Sequence, residues 1–199
     1  MVHERPRRVE RRLSAIVAAD VAGYSRLMHR DEEATHAKLI ALLKEAVYPA
    51  IAEHDGRIVK NTGDGFLAEF ASAVEAVRAA IQFQTRVKEL TIGEVEDNRL
   101  AFRVGINIGD VIVEPHDIFG DGVNIAARLE SIAEPGGICI SSSAYDHVRG
   151  KVKNQDVTAF MHATLGHTVS VGRLRYRPSP DSSCVANASS FQQVHPDGS

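Results

Sequence analysis

Arg57-Ile58-Val59-Lys60-Asn61-Thr62-Gly63-Asp64-Gly65-Phe66-Leu67-Ala68-Glu69-Phe70 is the stretch on which the fold turns. Arg57 to Asn61 and Phe66 to Phe70 read as two short strands. Thr62-Gly63-Asp64-Gly65 between them is a tight-turn sequence, so the whole reads as a β-hairpin. Upstream of the hairpin, Asp31-Glu32-Glu33 opens a helix, because carboxylates suit the positive end of the helix dipole. Leu39, Leu43, Val47 and Ile51 recur at helical spacing; Pro49 is expected to kink this helix and Gly56 to close it. Before the helix, Ser14 to Val21 is an apolar run of small and β-branched residues, which reads as a buried strand.

Downstream of the hairpin the pattern repeats. A second helix is expected from about Ser72 to Leu90, with Val74, Val77, Ile81 and Val87 on one face. Thr91 to Arg99 is polar and reads as a loop. Leu100 to Ile108 reads as a strand, a turn is expected at Gly109-Asp110, and Val111 to Val113 continues the sheet. A helix from Gly122 to Ala133 follows. Pro135-Gly136-Gly137 then breaks the chain before a short strand, Ile138 to Ser141. Strand, helix, hairpin, helix, strand is the split βαβ order: an α+β, ferredoxin-like βαββαβ domain with an added helix and strands.

The 199 residues, 44% hydrophobic and 25% charged, suit a globular domain. A net charge of −3 gives no reason to expect nucleic acid as a partner. Cys139 and Cys184 lie far apart and outside any CxxC pair, so neither a disulfide framework nor structural zinc is indicated, and a reducing cytoplasm fits. No apolar run is long enough for a membrane span. Leu13 to Ala19 ends at Asp20 without a cleavage pattern, so it does not read as a signal peptide. The expected organisation is a basic tail at 1–12 carrying Arg5, Arg7, Arg8, Arg11 and Arg12, a domain at 13–153, and a divergent segment at 154–199. After Lys153 there is no lysine or glutamate. Pro178 to Ser199 is polar enough to expect disorder, while 157–176 has room for a strand or two, since Thr168-Val169-Ser170-Val171 alternates.

Four local features carry chemistry. In Ala19-Asp20-Val21-Ala22-Gly23-Tyr24-Ser25 an aspartate ends an apolar strand, where it can bind Mg²⁺, and the small residues after it let backbone N–H groups approach phosphate oxygens. Asp64, at the hairpin tip, falls opposite the end of that strand in a ferredoxin-like sheet, and two carboxylates there can share two metal ions. Asp117, in Asp117-Ile118-Phe119-Gly120-Asp121-Gly122, can accept a hydrogen bond from a base amino group. Asn124 and Arg128 are four apart and share a helix face, beside an apolar stripe of Ile125, Leu129 and Ile132; an arginine so held can stabilise charge on a phosphoryl group. Taken singly, each has an ordinary reading as a cap, a hairpin turn, a loop or a solvated helix face.

In combination the segments AADVAGYSRLM, GRIVKNTGDGFLAEF, RVGINIGDVIVE and DIFGDGVNIAARLESIAEPGGICIS resemble the catalytic domain of class III adenylate/guanylate cyclases, over roughly Arg11 to Lys151. The resemblance implies a nucleotidyl cyclase acting on ATP as an adenylate cyclase, with two Mg²⁺ or Mn²⁺ ions per site, in a homodimer. Asp20 and Asp64 would be the metal aspartates, with the carbonyl of Val21 completing the shell. Lys60 and Asp117 match the pair that reads adenine, Asn124 and Arg128 the pair that positions ribose and stabilises the transition state, and Ala22, Gly23 and Tyr24 lie where phosphates are bound. A lysine that the family carries in a final hairpin is missing. That departure leaves a second reading, a cyclase-like dimerisation or nucleotide-binding module with impaired catalysis. A third, a diguanylate cyclase or polymerase palm, would need more than the one carboxylate that the hairpin offers.

Overall fold

The computed structural model describes residues 10–114, 117–152, 159–165 and 168–173. The arginines expected in the tail before residue 10, Cys184 and the segment Pro178 to Ser199 lie outside the described residues. Strand β1 (Glu10–Val21) leads to α1 (Tyr24–Arg30) and α2 (Glu32–Leu42). A π-helical turn (Leu43–Val47) joins α2 to α3 (Tyr48–Glu53), and the hairpin β2 (Arg57–Asn61) and β3 (Gly65–Phe70) follows. Next come α4 (Ala73–Leu90), β4 (Phe102–Glu114), β5 (Asp117–Phe119), α5 (Asp121–Ser131), β6 (Ile138–Ile140) and α6 (Ser142–Val148). Strands β7 (Ala159–Leu165) and β8 (Thr168–Arg173) complete the sheet, whose order is β2-β3-β1-β4-β6-β7-β8 with β5 paired to β4. The first four strands pair antiparallel in the ferredoxin-like order, and β6 joins β4 in parallel.

β1 is apolar at successive positions because both of its faces are covered. Ala15, Val17, Ala19 and Val21 point into the main core under α2, α3 and α4, while Ile16 and Ala18 join Leu67, Val111, Ile118 and Ala126 on the face that carries α5. Three rings close the main core edge to face: Phe66, Phe83 and Phe102, with centroids 5.7 to 6.1 Å apart. Such pairs add about 0.5–1.5 kcal/mol each beyond simple burial.

The expected helices form where their capping signals stand. Asp31 accepts from the Ala34 N–H, and Ser72 from the Glu75 N–H. Leu39, Leu43, Val47 and Ile51 are all buried. Pro49 sits in the first turn of α3, just after the π-turn. A proline has no N–H for the preceding turn, and the wider π-turn takes up that irregularity without breaking the helix.

Several expectations change. β1 starts at Glu10 rather than Ser14, so Arg11 and Arg12 pair with Ile112 and Val111; their polarity hid a strand held by the extension of β4. Arg12 and Arg57 both ion-pair the buried carboxylate of Glu69. No turn forms at Gly109-Asp110: both residues stay in β4, opposite Ser14 and Leu13. Gly109 marks a close approach instead, because a Cβ there would lie 3.3 Å from the Gly122 Cα. The buried stripe of α4 runs through Ala73, Ala76, Ala79, Ala80 and Phe83 besides Val77 and Val87, while Val74 and Ile81 are only partly buried. Small residues let α4 lie low on the sheet. In α5 the anchor is Gly122, Ala126 and Leu129; Ile125 is partly buried and Ile132 is 49% exposed. α1, β5 and α6 add to the expected elements. Among the described residues no helix is long and apolar enough to cross a membrane.

Candidate active site

The ends of β1 and the hairpin turn meet. Asp20 pairs with Gly65 across β1 and β3, and the Val21 N–H donates to the Asp64 carbonyl at 3.1 Å. Glycine is required at 65, since a Cβ would fall 2.0 Å from the Ala19 carbonyl oxygen. The Asp-Gly of the turn is thus what presses Asp64 against the last residues of β1. Asp20 alternates with Ile16 and Ala18, which places its side chain on the face covered by α5. The charges of Asp20 and, more weakly, Asp64 both bear on Arg103 and on Glu130 of α5.

Arg103, opposite Asp20 in β4, holds the Asp20 carboxylate with both arms of its guanidinium: Nε donates to Oδ1 at 2.9 Å and Nη2 to Oδ2. The hydrogen bond to Asp20 raises the affinity of Arg103 for its proton, outweighing the opposing effect of burial. Glu130 Oε1 lies 3.4 Å from Arg103 Nη2, and the Ser131 carbonyl accepts from Nη1 at 3.3 Å. Burial first, then a hydrogen bond with Asp20 and the charge of Asp20, push the Glu130 carboxyl up to about 7 against the pull of Arg103. Two carboxylates at strand ends, with a guanidinium already drawn to one of them, form a donor set suited to a hard divalent cation completed by substrate oxygens. Among the described residues there is no group of three or more His, Cys, Asp or Glu side chains arranged to cage a metal alone.

β1 leaves the sheet at the small residues. Ala22 N–H donates to the Ala101 carbonyl at 2.9 Å, and Gly23, at φ 68°, turns the chain into α1. Burial, then the charge of Asp64, raise the Tyr24 phenol pKa. Lys60 of β2 and Asp117 of β5 form an ion pair, Nζ to Oδ2 at 2.6 Å, with Asp117 Oδ1 accepting from the Ile118 N–H. Lys60 Nζ also lies 5.9 Å from the centre of the Phe119 ring. Asn124 and Arg128 stand together on the exposed side of α5, with no side-chain hydrogen bond or ion pair to the described residues.

The structure therefore joins the expected residues in three groups: Asp20, Val21 and Asp64 with Ala22 to Tyr24; Lys60 with Asp117; and Asn124 with Arg128. Arg103 and Glu130 join the first group unannounced. The cue to Arg103 lay in the pairing of β1 with β4, which sets Arg103 across from Asp20 once the register is known.

The family described as the adenylate and guanylate cyclase catalytic domain matches residues 11–166. The chain is 47% identical over 154 residues to a protein named putative adenylate cyclase 3 of Rhizobium meliloti, covering 77% of this chain and 26% of that protein. The chain thus spans about a quarter of that relative's length. Among solved structures, an adenylate/guanylate cyclase/hydrolase from Silicibacter pomeroyi superposes with a TM-score of 0.66 at 46% identity, over 72% of this chain and 83% of that one. The adenylyl cyclase CyaB from P. aeruginosa superposes with a TM-score of 0.66 at 26% identity, over 73% and 85% of the two chains. With the sheet order, the paired strand ends and these similarities in agreement, the chain belongs to the adenylate and guanylate cyclase catalytic-domain family.

Proposed function

We propose that the chain is an adenylate cyclase that converts ATP to 3′,5′-cyclic AMP and pyrophosphate at the interface of a homodimer. The observation that supports this reading is the junction of the Asp20 end of β1 with the hairpin turn that carries Asp64. Asp20, Asp64 and the Val21 carbonyl would hold two Mg²⁺ or Mn²⁺ ions, which supply acidification of the ribose 3′-hydroxyl and charge stabilisation at the α-phosphorus. The backbone N–H groups of Gly23 and Tyr24, beside Asp20, receive the phosphates, while the Ala22 N–H is held by the Ala101 carbonyl and Ala22 fixes the start of the turn. Lys60 and Asp117, already aligned with each other, meet the adenine edge: lysine donates to a ring nitrogen and aspartate accepts from the 6-amino group. Guanine would turn a carbonyl toward Asp117, acceptor against acceptor.

Asn124 and Arg128 act on the substrate held by the partner copy, Asn124 orienting the ribose and Arg128 countering charge on the phosphoryl group. Their exposure on α5 without side-chain partners among the described residues supports action in trans. The exposed Phe119 and Ile132 are apolar surface that a partner copy would cover.

A second reading, a dimeric nucleotide-binding module without turnover, is favoured by the absence of lysine after Lys153. One assay separates the two. The purified chain is incubated with Mn²⁺ and ATP, or Mn²⁺ and GTP, and the products are identified by mass. Cyclic AMP from ATP, abolished in Asp20→Ala and Asp64→Ala, is the expected result. ATP binding without cyclic AMP would reject the enzyme in favour of the module.

A further inference from the structure

Glu130 stands where neither metal binding nor catalysis in trans accounts for it. It follows Arg128 by two residues and so faces the opposite way, toward the β1 end of its own chain. Its side chain is 16% exposed, and Oε1 lies 3.4 Å from Arg103 Nη2. It comes that close because β4 has no side chain at Gly105: a Cβ there would lie 2.1 Å from the Ala126 carbonyl oxygen and 2.3 Å from the Glu130 N. α5 therefore rests directly on the strand, two residues beyond Arg103. Arg103 meanwhile spans both carboxylate oxygens of Asp20. A bidentate guanidinium takes one lone pair on each carboxylate oxygen, and a divalent cation on the remaining ones competes with it for the same negative charge. A cation that binds Asp20 neutralises its charge and repels Arg103, and a guanidinium loosened within a part-buried, acidic site needs another anion in reach.

We infer that Glu130 is a positioning residue that takes up Arg103 when a divalent cation claims Asp20. The inference rests on the reading of Asp20 and Asp64 as the metal pair. Arg103 has three anchors around it: Asp20, the Glu130 carboxylate at 3.4 Å, and the Ser131 carbonyl at 3.3 Å. Of these only Glu130 has an ionisable carboxyl besides Asp20, and it is supplied by the same helix that carries Asn124 and Arg128 on its outer side. Loading of a chain's own metal site would thus be tied to the seating of the helix that serves the partner's site.

The test is Mn²⁺ affinity, read from the free-ion EPR signal with the full chain and no nucleotide. Glu130→Gln removes the second anchor and is expected to weaken Mn²⁺ binding about 10–100-fold, the usual cost of losing such a supporting contact. Glu130→Asp keeps the carboxyl group but shortens the reach, and is expected to weaken binding in the same direction. In an Arg103→Met background there is no guanidinium to relocate, so Glu130→Gln should cost much less there. Equal losses in both backgrounds, or wild-type affinity in Glu130→Asp, would overturn the inference in favour of simple charge attraction. Unchanged affinity in Glu130→Gln would overturn it outright. If the folded wild-type chain takes up no Mn²⁺ either alone or with 3′-deoxy-ATP, which completes the site but cannot cyclise, the metal-pair reading falls, and this inference with it. Circular dichroism melts of each variant identify loss of fold, and Glu130→Asp, which preserves the carboxyl group, stands in should Glu130→Gln not fold.

Discussion

Lys60 and Asp117 come from distant parts of the chain, yet they meet at 2.6 Å in one ion pair. On the proposed reading this pair selects the base. Lys60→Glu should lower turnover of ATP relative to GTP by about 10–100-fold, the equivalent of one charged hydrogen-bonding group left facing the wrong partner. Competition kinetics with both nucleotides checks this, and an unchanged ratio would place base recognition elsewhere. At this scale the sequence was informative about residues marked by local context. Asp20 closes an apolar run, Asp64 sits in an Asp-Gly turn, and Asn124 and Arg128 share helical spacing. It was silent about Arg103 and Glu130. Their part depends on which residues of β1 and β4 lie opposite each other, and on how low α5 sits, and neither is written locally in the chain.

Elements were legible where caps and periodicity agree, as in α2 and α4. They were misread where a glycine had two meanings. Gly109 reads as a turn in isolation, but in the sheet it makes room for α5 at Gly122. α6 escaped because Ser142 to Val148 has little apolar periodicity, although Ser141 caps it by accepting from the Ala144 N–H. The valine-centred face read for α4 missed that alanines bury best where a helix lies close to a sheet. The closeness of α5 to β4 gives a prediction of its own. Gly105→Ala places a methyl against the α5 backbone, so the helix must lift. Activity should fall about 100-fold, as expected when catalytic groups shift by around an ångström. The drop should exceed what the accompanying loss of stability, measured by urea unfolding, explains. Full activity in Gly105→Ala would mean that the seating of α5 does not matter to the site.

At the scale of the whole molecule, one chain separates the expected machinery. Asp20 and Asp64 gather at the β1 end, and Asn124 and Arg128 face outward from α5, with Glu130 on the inner side of the same helix. The overall α+β order was legible from strands, helices and the hairpin in sequence. The outward placement of Asn124 and Arg128 was not, because helical spacing states that two residues share a face but not which way the face looks. The central claim is that one site draws on two copies of the chain. It is tested by mixing two inactive variants, Asp64→Ala and Arg128→Ala. In a mixed dimer both defects fall in one site and the other site is intact, so equal mixing should restore about one quarter of the wild-type cyclase activity. No recovery from a mixture shown to exchange subunits would contradict the account.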